Sequence, residues 1–250
     1  MLTWSAESRF LVKQRLDLIL VERGIADSRT KAQALIMSGI VSSNGRLLDK
    51  VGQTFDTEIE LAIKSKSSYV SRAGDKLASV AQELGLDFSD KIVLDVGSST
   101  GGFTDFALQN GAKKVYCVDV GSAQLAYKLR KDPRIIIMEK TDIRTAALPE
   151  KVDVVVIDVS FISLKKILDA VVDLTKDNAP IVCMLKPQFE AGREIADKYK
   201  GVIPLGEDRD NIISDFKDWS ESKFRIINEA DSRVPGTHGN VEHFINLLKR

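Results

Sequence analysis

The sequence predicts an α/β protein: a mostly parallel sheet with helices on both faces, an antiparallel strand at its C-terminal end, and a small α+β domain in front. Three observations predict it. Between residues 91 and 185, apolar strand-like runs alternate with helical stretches, the rhythm of parallel strands joined by crossover helices. Residues 224–228 and 241–248 are two further apolar runs that read as a closing strand pair. Residues 13–66 instead combine two short helices with short β runs and end in the polar stretch Lys64-Ser-Lys-Ser-Ser68. That stretch sets the domains at 1–66 and 67–250.

In the first domain, residues 15–23 place leucines and Ile19 at helical spacing and stop at Gly24. Ser28 caps a second helix over residues 29–37, which Gly39 ends. Short β runs follow at Ile40 and Val41, at residues 46–48 and at residues 58–63, with Asn44-Gly45 as a hairpin turn. Residues 71–84 read as a helix leading into the second domain, with Leu77, Val80, Ala81 and Leu84 on one face. Lys76 stands beside that stripe in a place where a lysine opposes the helix dipole, which suggests another task.

The rest of the chain is organised around residues 91–106. Ile92, Val93 and Leu94 form an unbroken apolar run, as in a strand covered on both faces. Asp95 ends it, and Gly97, Gly101 and Gly102 leave a backbone that a ligand can approach, with Thr100 or Thr104 opening the next helix. Further helices are expected at residues 103–110, 123–129 and 164–174, and strands at 114–118, 134–138, 152–157 and 181–185. Open α/β sheets bind ligands beyond the carboxyl ends of their strands, where this chain sets Asp95, Asp119, Asp142, Asp158 and Lys186. A nucleotide is the expected guest. The dinucleotide fingerprint fails, because Ser99 replaces its second glycine.

Composition bounds the function. Charge balances, with 36 basic and 36 acidic residues, so any nucleic-acid site is a local patch and not a global field. Cys117 and Cys183 lie in apolar runs and read as core, and two histidines without clustered Cys/His spacing give no metal site. No run is long and apolar enough to span a membrane, and the first ten residues do not read as a signal peptide. A cytoplasmic protein is expected.

The pattern Asp95-Val-Gly-Ser-Ser-Thr-Gly-Gly102 resembles the first motif of S-adenosylmethionine (SAM)-dependent methyltransferases, and the closing strand pair matches the antiparallel end of that fold. The resemblance makes SAM the expected cofactor, held by Asp95, Gly97, Ser98, Ser99, Thr100, Gly101, Gly102 and Phe103. Asp119, with Val120, would accept the ribose diol, and Asp142, with Ile143, would meet the adenine edge. The first domain resembles the small RNA-binding domain of ribosomal small-subunit protein four through Arg15-Leu-Asp, Ser28-Arg29, Ala32, Ile36, Gly39, Val41 and Asn44-Gly45. Its phosphate contacts would come from Lys13, Arg15, Arg29, Lys31, Arg46, Lys50, Lys64 and Lys66. Without aromatic residues to stack on bases there, recognition would follow shape and backbone.

Lysines and carboxylates around a methyl donor suit methylation of a hydroxyl, whose proton a desolvated lysine can take. Lys186, at the end of a buried strand and before Pro187, is the candidate base. A wider set of motifs resembles the TlyA-type haemolysin/ribosomal RNA methyltransferase family: Tyr69-Val-Ser-Arg-Ala-Gly-Asp-Lys76, Val118-Asp-Val-Gly121, Asp158-Val-Ser-Phe-Ile-Ser-Leu164, Lys186-Pro-Gln-Phe-Glu190 and Gly239-Asn-Val-Glu242. Its catalytic part is similar to FtsJ-type ribose 2′-O-methyltransferases, whose Lys-Asp-Lys-Glu tetrad falls here on Lys76, Asp158, Lys186 and Glu242. The family implies 2′-O-methylation of cytidine, with ribosomal RNA or ribosomal subunits as partner. Residues 195–201 and 232–236 depart from its pattern. A non-catalytic RNA-binding or ribosome-assembly protein is the alternative, and a haemolysin a third for which no membrane-inserting segment or secretion signal speaks. His238 reads as a loop residue near RNA and His243 as structural.

Overall fold

The computed structural model describes residues 13–37, 39–63, 67–236 and 239–250. Lys64, Lys66 and His238, and most of the polar hinge, lie outside these residues. The chain forms two compact units, Met1–Lys66 and Ser67–Arg250.

In the first unit, strand β1 (Lys13–Arg15) leads into helix α1 (Leu16–Glu22), followed by α2 (Arg29–Met37). The Ser28 hydroxyl accepts a hydrogen bond from the Lys31 amide at 3.3 Å, which caps α2 as its sequence requires. Strands β2 (Val41–Ser43) and β3 (Arg46–Leu47) are joined by Asn44 and Gly45, both at positive φ. Strand β4 (Thr54–Asp56) pairs with β1, while β5 (Ala62–Ile63) pairs with β2. Leu16, Leu20, Ala32, Ile36, Val41 and Leu48 form the core. The β1–β4 ladder was not expected, and the strand expected over 58–63 is confined to Ala62–Ile63. Runs of two or three residues are too short for an alternation to appear in sequence.

The second unit opens with α3 (Arg72–Ala81) and continues through β6 (Ile92–Val96), α4 (Gly102–Gln109), β7 (Lys114–Val118), α5 (Tyr127–Arg130) and β8 (Ile135–Met138). Then come β9 (Val154–Ile157), α6 (Leu168–Asp173), β10 (Ile181–Leu185), α7 (Pro187–Glu190), α8 (Arg193–Lys198), α9 (Glu207–Glu221), β11 (Phe224–Asp231) and β12 (His243–Lys249). The seven-stranded sheet has the order β11-β12-β10-β9-β6-β7-β8. Strands β6 to β10 pair in parallel, and β12 runs antiparallel to both its neighbours.

Side chains alternate between the sheet's two faces. Val93, Val115, Cys117, Val154, Val156 and Val182 pack with α3 and α4 through Leu77, Val80, Phe103 and Ala107. Leu94, Tyr116, Val155, Ile157, Ile181 and Cys183 pack with α6 and α9 through Leu168, Val171, Ile213 and Phe216. Both cysteines are thus core residues on opposite faces, and burial pushes their thiols above the usual range. Helix α9 was not expected: its apolar stripe, Ile212, Ile213, Phe216 and Trp219, is narrow and set among charges. The helix expected over 123–129 is one turn at Tyr127–Arg130. Among the described residues, no helix is long and apolar enough to cross a membrane.

Candidate functional site

Chain order turns back between β6 and β9: from β6 the chain winds outward to β7 and β8, then crosses to β9 on the other side. A crevice opens at such a switch point, outside the carboxyl ends of the strands. Asp95 is the second-to-last residue of β6, Asp119 follows β7, Asp158 follows β9 and Lys186 follows β10. The sheet therefore delivers four of the sequence-predicted residues to one edge.

The loop after β6 is shaped by what it touches. Gly97 has φ +80°, and a Cβ there would collide with the backbone oxygen of Asp158. Gly101 has φ +95° and caps α4, where a Cβ would collide with Leu125 and Leu129. Neither threonine supplies the cap by its side chain. Thr104 instead donates through its amide (3.0 Å) and its hydroxyl (2.6 Å) to one oxygen of buried Asp95. Burial raises the Asp95 carboxyl to about 7, against the pull of these bonds. Its other oxygen is buried without a hydrogen-bond partner.

Two cavities share this edge. One, of about 400 Å³, is lined by Asp95, Gly97, Ser98, Ser99, Thr100, Gly102 and Phe103, together with Lys76, Arg72 and Asp158. The second, of about 470 Å³, is lined by Gly97, Ser99, Asp119, Val120, Asp142 and Ile143, with Asp158 and the loop from Val159 to Ile162. Gly101 lines neither. The Asp119 carboxylate is fixed by the amides of Ser99 and Gly121, each at 2.7 Å. The Arg144 side chain grips Asp142 and holds its carboxyl down, at about 2.

Lysines and acids come together in two pairs. Lys76 Nζ lies 2.6 Å from Glu242 Oε1, joining residues 166 apart in sequence. Both are buried, at 9% and 3% exposure. Lys186 Nζ lies 2.6 Å from Asp158 Oδ1 and donates to Ser160 Oγ at 2.9 Å. Lys186 and Glu242 line neither cavity themselves, but each holds a residue that does. Sequence reasoning missed Arg72, Ser160 and Phe161. Phe161 is 91% exposed at φ +64°, its ring 5.0 Å from that of Phe189. The signal for Ser160 and Phe161 was their place beside Asp158 in one motif.

Comparison with known proteins agrees with this architecture. The family model for FtsJ-like methyltransferases matches residues 69–249. The chain belongs to the FtsJ-like methyltransferase family. An S4 domain matches residues 14–58 of the same methyltransferase. It is 43% identical over 244 residues to a candidate rRNA methyltransferase, YqxC, of Bacillus subtilis, covering 94% of this chain and 85% of that one. It is 36% identical over 241 residues to the 16S/23S rRNA (cytidine-2′-O)-methyltransferase TlyA of Mycobacterium tuberculosis, covering 94% and 90%. A solved structure of a candidate hemolysin from Streptococcus thermophilus is 38% identical, with a TM-score of 0.73 and coverage of 96% and 89%.

In the S4 unit of this methyltransferase, Arg15 and Arg29 both turn toward Asp17, which has 0% exposure. The Arg15 guanidinium, helped by Gln33 and Arg29, holds the Asp17 carboxyl well below the usual range. Lys31 pairs with exposed Asp27, whereas exposed Arg46 and Lys50 have no carboxylate partner among the described residues. Lys13 is exposed on β1. His243 is buried at the start of β12, its Nδ1 2.6 Å from Asp231, in keeping with a structural residue.

Proposed function

We propose that this methyltransferase uses SAM to methylate the ribose 2′-hydroxyl of a cytidine in ribosomal RNA, with Lys186 as base in a tetrad with Asp158, Lys76 and Glu242. One observation carries the reading: Asp158, which lines both cavities, grips Lys186, and this supports Lys186 as the base for an acceptor bound at that edge.

The residues fit the cofactor. The unpartnered buried oxygen of Asp95 suits the ammonium group at the amino-acid end of SAM. Each Asp119 oxygen takes one amide and keeps a second lone pair for a ribose hydroxyl. Asp142, kept ionised by Arg144, is an acceptor for the adenine amino group. When bound, SAM supplies an electrophilic methyl group on a sulfonium.

With SAM bound, the acceptor hydroxyl would be the nucleophile toward that methyl group, and Lys186 would take its proton. Asp158, whose Oδ1 lies 2.6 Å from Nζ, and Ser160, which accepts a hydrogen bond from it at 2.9 Å, hold the Lys186 side chain in place. Lys76, held by Glu242, orients the acceptor oxygen. The Phe161–Phe189 pair beside Lys186 offers an exposed aromatic surface for the acceptor's base. The names of the two methyltransferase relatives, and the S4 domain, support ribosomal RNA as substrate.

Labelled SAM and ribosomal subunits from cells lacking this gene test the proposal. Label is expected in RNA, at a cytidine whose 3′ linkage has become resistant to alkali; label in a base or in protein overturns it.

Cofactor binding has its own test. Gly101→Val, at φ +95° and against Leu125 and Leu129, must distort the turn. It is expected to abolish SAM binding by calorimetry, and unaltered affinity would remove the turn from the cofactor site.

A further inference from the structure

We propose that Glu190 is a positioning residue that staples the loop carrying Asp158 and Ser160 to the segment carrying Lys186. The inference rests on the reading above, in which Lys186 receives the acceptor's proton.

Strands β9 and β10 pair only as far as Ile157 and Cys183. Beyond that point no backbone hydrogen bond joins residues 159–164 to residues 186–190 among the described residues. Side chains do the joining. At one end, Lys186 Nζ meets Asp158 Oδ1 and Ser160 Oγ. At the other, Glu190 Oε2 accepts from Ser163 Oγ at 2.6 Å and Oε1 accepts from the Leu164 amide at 2.7 Å.

Glu190 is tied to Lys186 by one short turn. Lys186 precedes Pro187 at the start of α7, and its carbonyl accepts from the amides of Phe189 (2.9 Å) and Glu190 (3.3 Å). Anchor and base therefore move together. The loop they grip contains Phe161 at φ +64°, a conformation unfavourable for a bulky residue that persists only where the surroundings impose it. Without Glu190, residues 160–163 are free to relax, and Ser160 leaves Lys186.

The chemistry of Glu190 fits an anchor and not a second base. Burial pushes its carboxyl up, while Ser163 and Leu164 pull it down. Each of its oxygens already holds a hydrogen bond from the loop. A glutamine can reproduce both contacts: its oxygen accepts from Leu164, and its amino group donates to the Ser163 hydroxyl, which has acceptor capacity.

The test uses the full-length protein, saturating SAM and ribosomal subunits from cells lacking this gene, and reads the single-turnover rate beside the SAM affinity. Glu190→Ala is expected to slow transfer about 10- to 100-fold, because a misplacement near 1 Å costs up to about 100-fold. SAM affinity is expected to weaken as well, since Val159 to Ile162 line the second cavity, so rates are compared at saturating SAM, where Glu190→Gln should restore the rate to within about threefold. The double variant Ser160→Ala/Glu190→Ala should be no slower than Glu190→Ala by more than about twofold, since both act through one contact. If Glu190→Ala does not fold, Ser163→Ala carries the test: with an unaltered melting temperature, it should slow transfer about threefold or more. A normal rate in Glu190→Ala or Ser163→Ala overturns the staple, and so does a Glu190→Gln protein as slow as Glu190→Ala. Lys186→Ala in the same assay separates the two claims. If Lys186→Ala is fast, the base assignment fails; if it is slow while Glu190→Ala is fast, only the staple fails.

Discussion

Lys186→Ala is expected to leave SAM affinity nearly unchanged and to slow single-turnover methyl transfer by about a hundredfold to ten-thousandfold, the usual cost of losing a general base. Geometry explains the selectivity. Lys186 lines neither cavity, so its loss removes no surface that SAM would touch, whereas Asp158 lines both and its substitution disturbs binding and turnover together. The other pair is a poorer probe. Removing Lys76 or Glu242 strands a buried charge at a cost of about 3–5 kcal/mol, so lost activity there is entangled with lost stability. A Lys186→Ala protein with a near-normal single-turnover rate would show that another group takes the proton.

How far the sequence alone reaches is clear from particular residues. Strands β7 and β10 have the predicted ends, because a strand buried on both faces is an unbroken apolar run bounded by polar residues. The same rule sets Asp95, Asp119, Asp158 and Lys186 at strand ends, where a ligand crevice must open. What lies outside that rule was hidden. Lys76 and Glu242 are 166 residues apart, and neither composition nor spacing pairs them; only the family resemblance put both in one site. Ser160 and Glu190 are joined to the site by side-chain bonds between the irregular segment after β9 and the four-residue turn of α7, both too short to show a period in sequence. The partner of Arg15 and Arg29 was equally invisible: besides any phosphate contact, their guanidinium groups brace Asp17.

That brace decides how the last expectation is tested. Deleting residues 1–66 is expected to spare SAM binding and to collapse methylation of ribosomal subunits. The cut must fall before Ser67, because the segment from Ser67 is built into the catalytic unit: the Val70 amide donates to buried Asp105 at 2.8 Å, and the Tyr69 ring lies 5.4 Å from that of Phe106. Every residue assigned to SAM or to the tetrad lies beyond the cut. Methylation should nevertheless fail, since a chain of balanced charge leaves the catalytic unit little electrostatic hold on a polyanion. Raising salt should mimic the deletion, with log affinity falling by roughly 0.7 to 0.9 per phosphate contact per log unit of salt. Point variants should then use Arg46 and Lys50, exposed and without carboxylate partners among the described residues. Reversing Arg15 or Arg29 would set a new carboxylate against buried Asp17 and confound docking with unfolding. Arg46→Glu with Lys50→Glu should flatten the salt slope by about two contacts' worth while leaving SAM binding intact. If the truncated protein methylates subunits as fast as the full chain at every salt concentration, the S4 unit does not dock the substrate and the catalytic unit holds RNA by itself.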